Sequence, residues 1–222
     1  MSKLVIFDVD GTLIDSQAHI IASMTAAFDA EGLLVPARDA ILSIVGLSLP
    51  YAIRELVPQA GDDVIARMVE AYKDDFNENR LKLDATIPLF AGAEAAIARL
   101  IARDDVMLAI ATGKSRRGLD GLLAQWPFAA HFISTQCADD HPSKPHPSMV
   151  QSCLVDCDVT AQNAVVVGDT TYDMEMARAA RCTAIGVSWG YHGVGALKDT
   201  GARAVIDHFD ALEGALDEIW KD

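Results

Sequence analysis

Short apolar runs recur along the chain, and each is followed by polar or turn-forming residues. The clearest is Lys3–Phe7, which is rich in β-branched side chains and is followed by the turn signal Asp10-Gly11. Continuous apolar runs of this length are typical of strands buried on both faces of a parallel sheet. Similar runs are found at residues 106–111, 132–133, 164–167, 183–187 and 204–206. From Gly92 onward they alternate with apolar residues at helical spacing, which predicts an α/β fold with a doubly wound parallel sheet.

The first two strand predictions are separated by a long helical segment. Roughly a hundred residues lie between Asp10 and Val106, whereas a simple crossover between parallel strands needs only ~30. Amphipathic stripes at residues 20–28 and 64–76, with a shorter helical stretch at 51–57, predict a small helical bundle in this interval. We therefore expect a core domain formed by residues 1–14 and 85–222 and a helical domain formed by residues 15–84.

Composition and charge exclude several classes of partner. The chain has 222 residues and a net charge of −14, so long-range repulsion disfavours nucleic acid and anionic membranes. The N-terminus lacks the apolar region of a signal peptide, and no stretch approaches the ~18 apolar residues of a membrane span. The four cysteines form no CxxC pair, which favours free thiols and a cytoplasmic protein.

Two carboxylates follow the first predicted strand. Because side chains in an extended chain alternate with period two, Asp8 and Asp10 can point to the same side. Adjacent carboxylates repel each other unless a cation lies between them or one of them is protonated. Gly11 then allows a sharp turn whose N–H groups can line an anion site. This strand end is therefore a candidate catalytic or ion-binding site.

Further polar residues stand at or near the ends of later strands, where ligands of open α/β sheets bind. Thr112 and the N–H of Gly113 follow the second strand and could hold an anion at a helix start. Lys144 lies in a turn stiffened by two prolines, and a rigidly held ammonium can neutralise phosphate oxygens. Asp169 and Asp173 are one helical turn apart, so their carboxylates can converge. Such hard oxygen ligands suit Mg²⁺.

These stretches resemble four motifs of one enzyme superfamily. The segment DVDGT at residues 8–12 looks like the DxDGT signature of the haloacid dehalogenase-like hydrolases. Thr112, the KPxP form at Lys144 and the GDxxxD form at 168–173 are similar to the second, third and fourth motifs of that superfamily. The resemblance covers the whole chain and implies a Rossmann-like core with a helical cap inserted after the first motif. ATGKSRRGLD at 111–120 and VSWGYH at 187–192 resemble the phosphoglycolate phosphatase-like branch most closely.

The resemblance implies a magnesium-dependent phosphomonoester hydrolase that acts on a small phosphorylated metabolite similar to 2-phosphoglycolate. Asp8 would attack phosphorus and form an aspartyl-phosphate, and Asp10 would act as general acid and base. Mg²⁺ would be held by Asp8, by the carbonyl oxygen of Asp10 and by Asp169.

The remaining site residues implied by the resemblance bind the phosphoryl group or support the metal site. Thr112, Gly113 and Lys144 would stabilise the phosphoryl oxygens. Asp173 would hold Lys144 or a metal-bound water from the second shell. In the cap, Arg54 and the bend at residues 46–48 are candidates for substrate contact.

Two alternative functions remain open at this stage. One is a sugar phosphomutase of the same superfamily, in which the leaving sugar is rephosphorylated before water enters. The same two aspartates serve both reactions, so the motifs do not separate them. A receiver-type signalling protein also combines a phospho-accepting aspartate with Mg²⁺, a threonine and a lysine. A receiver consists of a single short domain and lacks both the second aspartate and the helical insert. The chain could act as a monomer or a homodimer.

Overall fold

Six parallel strands form one sheet, as the pattern of apolar runs predicts. The computed structural model describes residues 2–82 and 87–221, and only the backbone of residues 77–82. The sheet contains β1 (Lys3–Phe7), β2 (Val106–Thr112), β3 (Phe132–Cys137), β4 (Ala164–Gly168), β5 (Thr183–Val187) and β6 (Ala204–Ile206). The strands are arranged in the order β3-β2-β1-β4-β5-β6. The doubly wound parallel sheet is therefore confirmed.

Helices cover both faces of this sheet. They are α5 (Ala93–Ile101), α6 (Arg116–Leu123), α7 (Ser148–Asp156), α8 (Thr171–Ala179), α9 (Val194–Thr200) and α10 (Leu212–Ile219). Alternation along β1 divides the core in two, because Val5 and Phe7 join one buried cluster whereas Leu4 and Ile6 join the other. This is why the strands are apolar at successive positions rather than at alternate ones.

In the described part of the chain, four helices form an insert between β1 and α5, and they pack around a core of their own. They are α1 (Gln17–Ala30), α2 (Arg38–Ser43), α3 (Leu49–Leu56) and α4 (Asp62–Lys82). Met24, Phe28, Ile53 and Met68 are nearly inaccessible to solvent within this separate cluster. The sequence pattern predicts three of these helices but not α2, whose six residues are too few to show a helical period.

The insert leaves and rejoins the core at neighbouring points. Ile14 forms an isolated antiparallel bridge with Leu89, and the N–H of Asp15 donates to the carbonyl of Pro88 at 2.9 Å. We propose that the insert is a separate domain, because it has its own buried cluster and a narrow connection. The expected boundary between residues 84 and 85 lies outside the described residues. No helix in the described ranges is long and apolar enough to cross a membrane.

Candidate active site

The central strands of the sheet bring the predicted strand-end residues together. Phe7 is aligned with Ile110 on one side and with Val167 on the other. The residues that follow, Asp8 after β1 and Asp169 after β4, therefore lie at the same edge of the sheet as Thr112. All three are almost completely buried. This convergence is a consequence of register, because the carboxyl ends of adjacent parallel strands lie side by side.

A buried acidic cluster forms at this edge. Carboxylate oxygens of Asp8, Asp169 and Asp173 lie within 4.8 Å of one another. Nζ of Lys144 lies 3.0 Å from Oδ1 of Asp8 and 2.7 Å from Oδ1 of Asp173. In the described part of the chain, Lys144 is the only cation in direct contact with these residues, so the cluster has more carboxyl groups than cations.

The electrostatics of the cluster follow from burial and crowding. Burial raises the pKa of Asp8 to about 7; the charges of Asp173 and Asp10 raise it and Lys144 opposes this. Burial also raises the pKa of Asp169 well above its usual range, and the carboxylates of Asp173 and Asp8 add to the shift. For Lys144, burial alone would lower the pKa, but Asp173 and Asp8 reverse the effect and raise it. The protein therefore maintains several ionisable groups where water cannot compensate their charge.

The three carboxylates differ in how their oxygens are used. Asp173 accepts from the Thr170 N–H at 3.1 Å and the Thr170 hydroxyl at 2.7 Å through Oδ2, and from Lys144 through Oδ1. Asp169 accepts from the Thr12 hydroxyl at 2.8 Å and from the N–H of Tyr191 at 2.9 Å. Each oxygen of these two residues thus has a protein partner.

Asp8 is different, because neither of its buried carboxylate oxygens accepts a hydrogen bond from the described residues. Oδ1 is paired with Lys144, but not in hydrogen-bond geometry. A buried carboxylate without donors is costly unless a cation compensates it. The Asp8 oxygens, which accept no hydrogen bond from the described residues, lie beside Asp169 in a set of hard oxygen donors that fits a divalent cation such as Mg²⁺.

The Asp10 side chain faces away from the acidic cluster and toward the insert. Nζ of Lys114 donates to its two carboxylate oxygens at 2.9 and 3.0 Å, and the Ser16 hydroxyl donates to Oδ1 at 2.5 Å. The Tyr191 hydroxyl lies 3.2 Å from the Ser16 oxygen. Asp8 and Asp10 thus belong to two neighbouring polar groups rather than to one.

Two glycines permit close approach around the site. A Cβ on Gly113 would lie 2.5 Å from the carbonyl oxygen of Gly46 and 2.8 Å from that of Leu47, so only glycine allows the core to meet the insert here. A Cβ on Gly190 would lie 2.1 Å from Cβ of Asp169. The VSWGYH stretch thus includes a glycine that lets the Tyr191 loop pack on the acidic cluster.

The loop that carries Lys144 is held from both sides. The ring of His141 lies between the Ser148 hydroxyl and the Gln136 side-chain oxygen, with both distances at 2.8 Å. The Ser143 hydroxyl accepts a hydrogen bond from the N–H of Ser48 in the insert, at 2.9 Å. The loop therefore connects the catalytic edge to the insert.

A cavity of about 600 Å³ separates the acidic edge from the helical insert. Its floor includes Asp8, Asp10, Thr112, Gly113 and Lys114. Its roof is formed mainly by apolar and aromatic side chains of the insert, namely Ile20, Met24, Ile44, Val45, Leu47, Leu49, Val69, Tyr72 and Phe76. The bend at residues 46–48 also lines the cavity, and its contact with a substrate stays a prediction.

Arg54 is not part of this cavity. Its guanidinium pairs with Asp62 at 2.6 Å, and both side chains are largely exposed. Arg54 lies in the last turn of α3 and faces solvent, so the expectation that it contacts substrate is not supported. Its helical position was not enough to predict which side of α3 would face the cavity.

Sequence reasoning missed several polar residues that hold the site together. Lys114, Ser16 and Tyr191 surround Asp10, while Thr12 and Thr170 anchor the acidic cluster. Lys114 and Thr12 lie inside stretches that resemble family motifs, so their position could have identified them as site residues. Ser16 and Tyr191 are distant in sequence and come together only through the fold.

A parallel α/β sheet thus carries aspartates at its strand ends, and a helical insert lies over that edge as a cap. The chain matches the haloacid dehalogenase-like hydrolase family over residues 5–187. It belongs to that family.

Similar proteins span nearly the whole chain. It is 32% identical over 224 residues to a probable phosphatase IndB of Dickeya dadantii, covering 100% of this chain and 96% of that protein. It is 29% identical to a phosphoglycolate phosphatase of Agrobacterium fabrum, with coverage of 98% and 94%. The crystal structure of a hydrolase from Pseudomonas syringae superposes with a TM-score of 0.86 at 25% identity, covering 98% of this chain and 99% of the other.

Proposed function

We propose that the protein is a magnesium-dependent phosphomonoester hydrolase that works through an aspartyl-phosphate on Asp8. The observation that carries this proposal is the state of Asp8. It is buried at a strand end, it faces a cavity, and its oxygens accept no hydrogen bond from the described residues. Such a carboxylate is available to act as a nucleophile.

In the first step, a carboxylate oxygen of Asp8 attacks phosphorus, an oxygen–phosphorus bond forms, and the ester bond to the leaving alcohol breaks. The leaving oxygen takes a proton from Asp10, which Lys114 and Ser16 hold in place beside the cavity. Thr112, the N–H of Gly113 and Lys144 are proposed to stabilise the charged phosphoryl oxygens.

In the second step, Asp10 takes a proton from water, and the water oxygen attacks phosphorus. The bond between phosphorus and Asp8 breaks, which releases inorganic phosphate and restores the carboxylate. Asp173 keeps Lys144 in position through its 2.7 Å contact. The two steps divide one difficult displacement into two easier ones.

The residues proposed to hold Mg²⁺ are Asp8, the carbonyl of Asp10 and Asp169. When bound, the ion would offset the repulsion between the Asp8 carboxylate and the phosphate dianion. The support for this set is the excess of buried carboxylates over the single contacting ammonium.

The experiment that tests this function measures phosphate release from a panel of small phosphomonoesters with Mg²⁺. The panel should include 2-phosphoglycolate, because several relatives are named phosphoglycolate phosphatases. Turnover should disappear in EDTA and return with Mg²⁺. Independently of activity, Mg²⁺ should raise the unfolding temperature, since a ligand of the native state at 100 times its Kd contributes about 2.7 kcal/mol. Asp169→Asn should reduce that thermal shift.

Full activity in metal-free buffer would contradict the proposed metal site. Isomerisation of a sugar phosphate without net phosphate release would indicate a phosphomutase instead. A protein that keeps its phosphate through a single turnover would behave as a receiver.

A further inference from the structure

The roof of the cavity has a chemical character that the proposed reaction does not require. Catalysis at Asp8 and Asp10 needs charge at the floor, whereas the roof is mainly apolar. On the insert side, Lys73 is the only cavity-lining cation among the described side chains. It is exposed and pairs with Glu70 at 3.0 Å.

The described side chains of this roof are poorly suited to a small carboxylate such as the one in 2-phosphoglycolate. A buried carboxylate needs a cation or several donors, and placing it against apolar side chains is strongly unfavourable. Lys114 is already paired with Asp10. Arg117, on the core side, is exposed to solvent, where an ion pair contributes little.

An aromatic pair lies next to the point where the leaving group must depart. Tyr72 and Phe76, one helical turn apart on α4, stack with centroids 6.0 Å apart and planes inclined by 14°. Nζ of Lys114 lies 5.1 Å from the centroid of the Phe76 ring and 2.9 Å from Oδ1 of Asp10. The body of any leaving group whose oxygen meets Asp10 therefore extends into the space beside this pair.

We propose that the substrate is a phosphate monoester whose alcohol carries a flat, uncharged ring, received by Tyr72 and Phe76 beneath an apolar roof. This proposal rests on the proposed phosphatase function and specifies its substrate class. The size of the cavity agrees with it, because about 600 Å³ is in the range of pockets that enclose ring-containing ligands. A two-carbon ester would fill only a small part of this space.

The test compares four esters that all release alkoxides, so leaving-group chemistry stays similar. They are benzyl, cyclohexylmethyl and ethyl phosphate, and 2-phosphoglycolate, each assayed with Mg²⁺. We expect kcat/KM to be highest for benzyl phosphate and at least about tenfold above ethyl phosphate, which a filled apolar pocket can supply. Cyclohexylmethyl phosphate, equal in size but not flat, should lie between them.

A matched pair of variants assigns the preference to the aromatic pair. Phe76→Leu should lower the benzyl-to-ethyl ratio of kcat/KM by about 3- to 10-fold, the range expected for one aromatic contact. Phe128→Leu makes the same change in another stacked pair, with Trp126 at 5.4 Å in the core. That variant should leave the ratio unchanged. Phe76→Tyr, which keeps the ring, should also keep the ratio. Because both esters are assayed on the same protein, partial loss of folding lowers both rates and leaves the ratio unchanged.

The outcomes separate this inference from the function on which it rests. If ethyl phosphate or 2-phosphoglycolate is hydrolysed as well as benzyl phosphate, the substrate class is wrong and the phosphatase function stands. A preference for 2-phosphoglycolate that Arg117→Ala removes would assign a carboxylate site at Arg117 instead. Equal ratios in Phe76→Leu and Phe128→Leu would overturn the role of the aromatic pair. If Mg²⁺ supports no phosphate release from any ester, the proposed function itself fails.

Discussion

The floor and the roof of the cavity differ in the chemical character of their side chains. At the acidic edge next to the floor, Asp169, Asp173 and Lys144 are buried ionisable groups, and each is fixed by named partners at strand ends or beside them. At the roof, the insert presents mainly apolar side chains. The ion pair between Arg54 and Asp62 in the insert is exposed. The hydrophobic cluster of the insert is separate from the two clusters of the core.

This difference indicates how the molecule divides its tasks. Charges stabilise a phosphoryl transition state most effectively where water is excluded and the groups cannot move, so they belong on the sheet. We propose that the roof contacts only the part of the substrate that differs between esters. Substitutions at the floor should therefore affect all alkyl esters alike, whereas substitutions at the roof should change the ranking of those esters.

The largest effect is expected for Asp8→Asn. The amide is a poor nucleophile, so turnover of every ester should fall by at least about 10⁴-fold. The fold should survive, because the change removes a buried carboxylate that has no hydrogen-bond donor among the described residues. Phosphate release and circular dichroism check the two parts of this prediction. Substantial turnover by the variant would mean that another residue is the nucleophile.

A smaller but still general loss is expected for Lys144→Met. Without the ammonium, the carboxylates of Asp8 and Asp173 remain buried and unpaired, which should destabilise the metal-free protein by about 3–5 kcal/mol. Turnover should fall by about 10²- to 10³-fold for all esters.

The matched control for this variant is Lys3→Met. Lys3 pairs with the partly exposed Asp105 at 3.0 Å, so its loss should cost no more than about 1 kcal/mol. Urea unfolding measures both variants. Equal stability losses would show that burial does not set the importance of Lys144.

The smallest general effect is expected where floor meets roof, for Gly113→Ala. The new methyl group would collide with carbonyl oxygens of Gly46 and Leu47, and overpacking of this kind costs about 1–3 kcal/mol. Gly214→Ala, in α10 with no atom within 4 Å of the added Cβ, should be neutral or slightly stabilising. Thermal unfolding compares the two, and an unchanged unfolding temperature in Gly113→Ala would contradict the close contact.

The same division explains what could be predicted from the sequence. All six strands follow from apolar runs, and Asp8, Thr112 and Asp169 follow from their positions at strand ends. The register of the parallel strands then brings these residues together, so their convergence could be predicted without knowing any contact between distant residues. The prediction that Lys144 belongs to the site depended on the resemblance to a family motif. A single lysine in a proline-rich loop is part of no periodic pattern that would predict its burial.

The roof could be predicted only as a set of helices. The helical period identifies α1 and α4, but it does not say which apolar positions face the insert's own core and which face the cavity. Arg54 shows this limit, because it was expected at the substrate and instead pairs with Asp62. The contact of Ser16 with Asp10 and Tyr191 could not be predicted from the sequence either, since it depends on packing between segments far apart in sequence.

The central claim is that Asp8 carries the phosphoryl group while Asp10 moves the proton, and Asp10→Asn tests it most directly. General acid–base catalysis contributes about 10²- to 10⁴-fold, but its value depends on the leaving group. An alkoxide needs a proton, whereas p-nitrophenolate is a stable anion and hardly needs one. The variant should therefore phosphorylate Asp8 slowly from alkyl esters and much faster from p-nitrophenyl phosphate.

Rapid mixing of Asp10→Asn with p-nitrophenyl phosphate and Mg²⁺ should give a burst of nitrophenol no larger than one per active site. A slow steady state should follow, because hydrolysis of the aspartyl-phosphate still lacks its base. Acid-quenched protein should carry phosphate on Asp8, as mapped by peptide mass spectrometry. No burst, no phosphate on Asp8 and equal losses on alkyl and p-nitrophenyl esters would contradict the assignment of Asp10 as acid and base.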